Sequence, residues 1–113
     1  MTPQELLTDM FAMADMAHTA HLATRSYAQH MALGEFYEGV REQTDAIVES
    51  MIGLGHTAPT VTGGPILKQI ADKYEYLANN REACCQGLTE LENLYDELLA
   101  VYVRAIYKLK RFT

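Results

Sequence analysis

The stretch LGEFYEGVREQTDAIVESMIGL, residues 33–54, decides the fold class of this chain. Its apolar residues recur at helical spacing over about six turns. They are Leu33, Phe36, Tyr37, Val40, Ile47, Met51 and Leu54. Gly53 and Gly55 stand where such a helix would end, because glycine readily adopts the left-handed conformation of a helix C-terminus. The stretch therefore predicts one long amphipathic helix.

A second helix is predicted upstream of this stretch. Thr2 can serve as its N-cap, and Glu5 brings a carboxylate to the positive end of the helix dipole, with a proline between them at the first helical position. We expect this first helix to end near residue 20. Either Thr24 or Ser26 could then cap the long helix.

Downstream, glycine and proline cluster in GLGHTAPTVTGGP, residues 53–65, which is the one obvious loop. Helical periodicity resumes at residues 66–77 and again at 91–109. The intervening ANNREACCQG, residues 78–87, leaves open whether a third helix ends before a fourth or only three long helices exist. The prediction is an all-α fold, an antiparallel bundle of three or four long helices in a single domain, residues 1–113.

Bulk properties exclude several function classes. The net charge is −6, with 15 acidic and 9 basic residues, so nucleic-acid binding is disfavoured. The basic residues of VRAIYKLKRFT, residues 103–113, are better read as favourable charge at a helix C-terminus than as a nucleic-acid or membrane contact. No apolar run is long enough to span a membrane. Adjacent cysteines such as Cys84 and Cys85 seldom bridge each other, so free thiols are predicted. Free thiols without a secretory segment predict a cytoplasmic protein.

Histidines and carboxylates supply the candidate chemistry. A polar stripe runs along the long helix beside its apolar one. It comprises His30, Gly34, Glu38, Arg41, Asp45 and Glu49. One interpretation is a solvated face on which Arg41 pairs with Glu38 and Asp45. The other is a metal site, because Asp45 and Glu49, one turn apart, repel each other unless a cation lies between them. Histidine and carboxylate without cysteine favour iron over a structural zinc.

The spacing of His18, His30, Asp45 and Glu49, H-x11-H-x14-D-x3-E, resembles that of the Dps family, the starvation-induced mini-ferritins of the ferritin-like superfamily. EQTDAIVESMIGLG, residues 42–55, is similar to that family's D-E-I-A-E-R-I-x-x-L-G-G stretch. The likeness covers roughly half of the chain. It implies a ferritin-like helical bundle that binds Fe(II) and oxidises it with peroxide or O₂, a ferroxidase activity that is sometimes coupled to iron storage.

In that family the two histidines of one subunit face the Asp and Glu of its two-fold mate. Carried over, His18 and His30 of one copy would bind iron with Asp45 and Glu49 of another, and zinc or manganese could occupy the same site. This arrangement avoids a distance problem, because residues fifteen apart on one helix are about 22 Å apart. The implied assembly is at least a two-fold dimer and at most a twelve-subunit cage. Further candidate ligands or shuttles are Glu35 and Glu38.

Several departures from the family pattern keep a second function class open. Gly34 replaces a carboxylate, Thr19 replaces a tryptophan after the first histidine, the C-terminal half is short, and no lysine-rich tail is present. The alternative is a non-catalytic helical assembly or structural protein of ferritin-like fold that has lost oxidation chemistry. His21 lies outside the pattern and is expected to be a helix-end cation rather than a spare ligand. The two cysteines are expected to be small apolar core residues.

Overall fold

Every element of the described chain is an α-helix. The computed structural model describes residues 2–59 and 64–111, and within these ranges it has five helices and no strand. They are α1 (Pro3–Ala23), α2 (Tyr27–Gly53), α3 (Ile66–Asn79), α4 (Arg81–Cys85) and α5 (Thr89–Arg111). The prediction of an all-α fold is confirmed.

The ends of α1 and α2 follow the capping residues in the sequence. The Thr2 hydroxyl accepts the N–H of Glu5 at 3.1 Å, and the Glu5 carboxylate accepts the N–H of Thr2 at 3.0 Å. This reciprocal capping box satisfies two backbone donors at the start of α1. Ser26 is the N-cap of α2, since its hydroxyl accepts the N–H of Gln29 at 3.2 Å. Helix α1 runs slightly beyond the predicted end near residue 20.

The structure describes the end of α2, part of the predicted loop and the whole of the link at residues 78–87. Helix α2 ends at Gly53, and Gly55 has a φ of +95°, the left-handed conformation that favours glycine. Residues 60–63 of the predicted loop lie outside the described residues. The link that the sequence left open contains a turn at Asn80 and the five-residue helix α4. Four longer helices, of 14 to 27 residues, accompany it.

The chain divides into two compact units, Met1–Thr60 and Val61–Thr113. In the first, a link of only three residues joins α1 to α2, so the helices run antiparallel. Their seam is narrow because small side chains line it: Ala14 is 0 % exposed, Ala17 is buried, and Thr44 is the buried residue of α2. Small residues let two helices approach closely, which brings functional side chains of α1 and α2 within reach of each other.

In the second unit α3 and α5 are antiparallel partners. The Tyr95 hydroxyl donates a hydrogen bond to the Leu77 carbonyl at 2.5 Å, near the C-terminal end of α3. Cys85, on α4, is 1 % exposed, as expected for a small apolar core residue. Its neighbour Cys84 is exposed, so the expectation that both thiols belong to the core is wrong for Cys84. Adjacent residues of a helix point about 100° apart, which is why only one of them faces inward.

The two cysteines should therefore differ sharply in reactivity. Burial raises the pKa of the Cys85 thiol, and the thiolate is the reactive form. We expect one thiol per native chain to react rapidly with a water-soluble thiol reagent. The substitution Cys84→Ser should abolish that rapid phase, and the remaining thiol should react only after denaturant is added. Two thiols that react at the same rate in the native chain would contradict this assignment.

Large apolar side chains remain exposed in both units. In the first they include Met16 at 64 % and Phe36 at 48 %, and in the second Leu94 at 63 % and Val101 at 52 %. No helix within the described ranges is both long and apolar enough to cross a membrane. Because a chain of this size can bury little apolar surface by itself, such surface favours association with another chain.

Candidate functional site

The most elaborate side-chain cluster lies where α1 ends and α2 begins. It consists of His18, His21, His30 and Tyr37, which we call the histidine corner. The rings of His21 and His30 stack with centroids 3.6 Å apart and planes 21° from parallel. The rings of His18 and Tyr37 stack in the same way at 4.1 Å and 11°. The corner therefore collects three of the four histidines into one place.

His21 and His30 exchange two hydrogen bonds between ring and backbone. Nδ1 of His30 lies 2.9 Å from the carbonyl oxygen of His21, and Nδ1 of His21 lies 2.6 Å from that of His30. A carbonyl can only accept, so both Nδ1 atoms must carry the proton. In the neutral form of each ring, Nε2 is then a bare nitrogen with a free lone pair. A histidine that donates Nδ1–H to a carbonyl is the usual arrangement of a metal ligand.

His18 is held differently. A guanidinium nitrogen of Arg41 lies 3.3 Å from Nδ1 of His18, and the other donates to the Asp15 carboxylate at 2.6 Å. Because a guanidinium can only donate, Nδ1 of His18 must accept, and the proton of the neutral ring is on Nε2. The bare nitrogen of His18 is thus already occupied. A neighbouring positive charge also opposes the approach of a metal cation.

The predicted pairing of Arg41 is wrong. The sequence suggested Glu38 and Asp45 on its own helix, whereas the ion pair formed is with Asp15 across the α1–α2 seam. The guanidinium also lies 5.2 Å from the centre of the Tyr37 ring, a cation–π contact. Cross-helix partners become available only when α1 packs on α2, and they compete with partners one turn away.

Asp45 and Glu49 are exposed on α2, and neither is a member of the ion pairs found among the described residues. Asp45 lines an open cleft of about 560 Å³ together with Phe11, Glu38, Arg41 and Glu42. Two carboxylates one turn apart therefore face outward without a neutralising side chain. Such a pair is free to accept a cation or a basic group from another molecule.

The predicted ligands fall into two places on one copy. His18 and His30 lie at the histidine corner, whereas Asp45 and Glu49 lie near the far end of α2, about 22 and about 28 Å from His30 by helical rise. Glu35 and Glu38 line a second open cleft, of about 610 Å³, beside His21 and His30. Among residues 2–59 and 64–111, no three His, Cys, Asp or Glu side chains come close enough to hold one metal ion.

His21 has a larger part in the structure than its place outside the spacing pattern indicated. It does lie in the last turn of α1, as expected of a helix-end cation, but its ring is half-buried and central to the corner. The sequence did indicate this contact, because His21 and His30 lie at nearly equal distances from the short link at residues 24–26. Residues placed in this way on an antiparallel hairpin come into contact when the link is short.

A second polar cluster ties α4 to α5. The guanidinium of Arg81 donates two hydrogen bonds to the Asp96 carboxylate, at 2.7 and 2.9 Å, and lies 3.3 Å from a Glu92 oxygen. The Arg81 hydrogen bond holds the pKa of Asp96 below its ordinary value of 3.8. A bidentate pair of this kind supports structure and offers no reactive group.

This pair predicts a pH dependence for the second unit. The pKa of Asp96 is lower in the folded chain than in the unfolded chain, so its contribution to stability is present above pH 3.8 and is lost as pH falls through the folded value. We expect Asp96→Asn to have a lower urea midpoint than wild type at pH 7. The difference between the two midpoints should become smaller in acid. The control is Asp72→Asn, which breaks an exposed pair with Lys68 and should change little. Equal effects of the two variants would contradict the assignment.

The molecule is thus an all-helical protein whose candidate site is a histidine corner between two antiparallel helices. A family model described as a family of unknown function, DUF5856, matches residues 21–109, and the chain belongs to this family. Comparisons with curated proteins and with solved structures gave no match. The family carries no assigned activity, so the function has to be argued from the site.

Proposed function

We propose that this protein is a ferritin-like iron-binding protein that oxidises Fe(II) at a site shared between two copies. Its helices would form a single antiparallel bundle, and two bundles would meet around a two-fold axis. His18 and His30 of one copy and Asp45 and Glu49 of the other would bind the metal. Two Fe(II) ions would deliver two electrons to one hydrogen peroxide, which takes up two protons and becomes two waters, or to one O₂, which takes up two protons and becomes hydrogen peroxide.

The orientation of His30 carries this proposal. Its Nδ1–H is bound to the His21 carbonyl, so Nε2 is left bare on a ring that is already held in place. An imidazole prepared in this way binds a first-row transition metal with little reorganisation. The mixed nitrogen and oxygen donor set suits iron, and zinc or manganese would compete for the same atoms.

The unpaired carboxylates support the shared site. Asp45 and Glu49 are too far from His30 of their own chain to share an ion with it, yet within the described residues they have no ion pair. A two-fold axis would bring the histidines of one copy to the carboxylates of the other, because such an interface presents the same surface twice. Exposed apolar residues of α1 and α2 such as Met16 and Phe36 would supply the buried area.

The engagement of His18 favours a second candidate function. Arg41 occupies Nδ1 of His18 and carries a positive charge, so His18 can become a ligand only if Arg41 moves away. A chain that keeps this contact would be a helical assembly protein without oxidation chemistry. For both candidates we infer a reducing cytoplasm, because free thiols persist there. Neither function requires nucleic acid.

Oxidation of Fe(II) under air separates the two candidates. We expect the wild-type chain to raise the ferric absorbance faster than buffer and His30→Ala to reduce the rate to that of buffer. The matched control is His56→Ala, which removes an exposed loop histidine and should leave the rate unchanged. A wild-type rate equal to that of buffer, or full activity in His30→Ala, would overturn the ferroxidase and leave the assembly protein.

A further inference from the structure

We propose that His21, which lies outside the Dps-like spacing H-x11-H-x14-D-x3-E, is a positioning residue for His30. Its backbone carbonyl accepts the Nδ1–H of His30, and its ring holds the His30 ring against that carbonyl, so Nε2 stays available to a metal ion. This role rests on the proposed function for its metal, whereas the positioning itself can be measured in the metal-free protein.

The end of α1 supplies the first part of this arrangement, which is a backbone carbonyl. The last carbonyls of a helix have no partner within it, and the carbonyl of His21 is one of them. It accepts the Nδ1–H of His30 at 2.9 Å. The second helix thus caps the first through a side chain, and the proton of His30 is drawn to Nδ1 and away from Nε2.

The second part is the ring of His21. It donates its own Nδ1–H to the His30 carbonyl at 2.6 Å and lies flat against the His30 ring, with centroids 3.6 Å apart. The ring of His30 therefore cannot turn without breaking a stack and disturbing a pair of hydrogen bonds. The Tyr37 ring, whose centroid lies 5.4 Å from that of the His21 ring with the planes at 67°, limits movement on another side.

Stacking also shows why His21 acts through His30 and does not join it as a ligand. A histidine nitrogen binds a metal along its lone pair, in the plane of its ring. The planes of the two rings are only 21° from parallel, so their lone pairs do not converge on one ion. One ring can bind while the other supports it.

Gly34 provides the space for this arrangement. A Cβ atom at position 34 would lie 3.1 Å from Cε1 and 3.3 Å from Nδ1 of His21, closer than ordinary contact distances. The two further methyl groups of a valine would have no room beside the ring. Gly39, on the same helix, has nothing within 4 Å of the corresponding atom, so it offers a matched control.

The test compares the variants His21→Ala and Gly34→Val with Gly39→Val and wild type. Nitrogen-15 NMR of the metal-free chains, at a pH where the rings are neutral, reports which nitrogen of His30 carries the proton. We expect Nδ1–H alone in wild type and Gly39→Val. The other two variants keep the carbonyl of residue 21 but lose or displace the ring that holds His30 against it, so we expect a mixture of tautomers in them. Zinc titration, which involves no oxidation, should show affinity at least about tenfold lower in those two variants.

An unchanged tautomer of His30 in His21→Ala would overturn the proposal, even if Gly34→Val fails to fold. A tautomer change with unchanged zinc affinity would overturn it as well, because positioning would then have no consequence for the metal. The proposed function is judged separately by Fe(II) oxidation in wild type. If wild type binds zinc in the expected manner but oxidises no iron, the oxidase fails and the role of His21 stands.

Discussion

Two inactive variants of this protein should restore activity to each other when they are assembled together. One variant carries His18→Ala and His30→Ala, and the other carries Asp45→Asn and Glu49→Gln. Alone, each should oxidise Fe(II) at the rate of buffer, because every shared site lacks either its nitrogens or its oxygens. A mixed dimer holds one intact site and one doubly damaged site. Random pairing of equal amounts therefore gives about a quarter of wild-type activity.

The two chains must be produced together, or unfolded and refolded together, so that they can exchange. The control for charge removes two other exposed carboxylates, through Asp9→Asn and Glu97→Gln, and should keep full activity. Native mass measurement confirms that mixed dimers have formed. Mixed dimers without activity would contradict a site shared between copies, and full activity in the carboxylate variant would remove Asp45 and Glu49 from the site.

The largest effect on stability is expected from Ala14→Leu. Ala14 is 0 % exposed at the seam of α1 and α2, so the added carbon atoms have no place without separating the helices. Overpacking of this kind costs about 1–3 kcal/mol. Because the same seam brings Arg41 to Asp15 and His18, the variant should also loosen the histidine corner. Urea unfolding followed by circular dichroism gives the free energy of unfolding.

The matched control is Ala12→Leu, the same substitution two positions earlier on the exposed side of α1. Its free energy of unfolding should stay within about 0.5 kcal/mol of wild type. The comparison removes any general effect of leucine on the helix. Equal stability of the two variants would show that α1 does not contact α2 through Ala14.

Local chemistry explains why several helix ends could be predicted. Thr2 and Ser26 cap helices because their hydroxyls accept backbone N–H groups three residues away, an interaction that needs no distant residue. Gly55 likewise marks the end of α2, because it adopts a positive φ that glycine tolerates readily. The residues 78–87 were ambiguous because their short helix depends on contact with α5, which periodicity does not report.

The candidate site was only partly predictable for the same reason. Spacing along α2 was enough to put Asp45 one turn from Glu49 and far from His30. Spacing also selected His18 and His30, but it ranked His21 as a bystander and gave Arg41 the wrong partners. Contacts across a helix seam depend on which faces meet, and a sequence pattern describes each face alone.

The sequence by itself determined that the chain is all-helical, where α1 and α2 begin and where α2 ends, since these features follow from periodicity and capping within a few residues. Tertiary structure alone decided which ring nitrogen of His18, His21 and His30 carries the proton in the neutral form. That choice depends on a carbonyl of α1 meeting a ring of α2, and on a guanidinium of α2 meeting a ring of α1. Hydrogen bonds between helices select the tautomer of these rings, and they form only after the seam has packed.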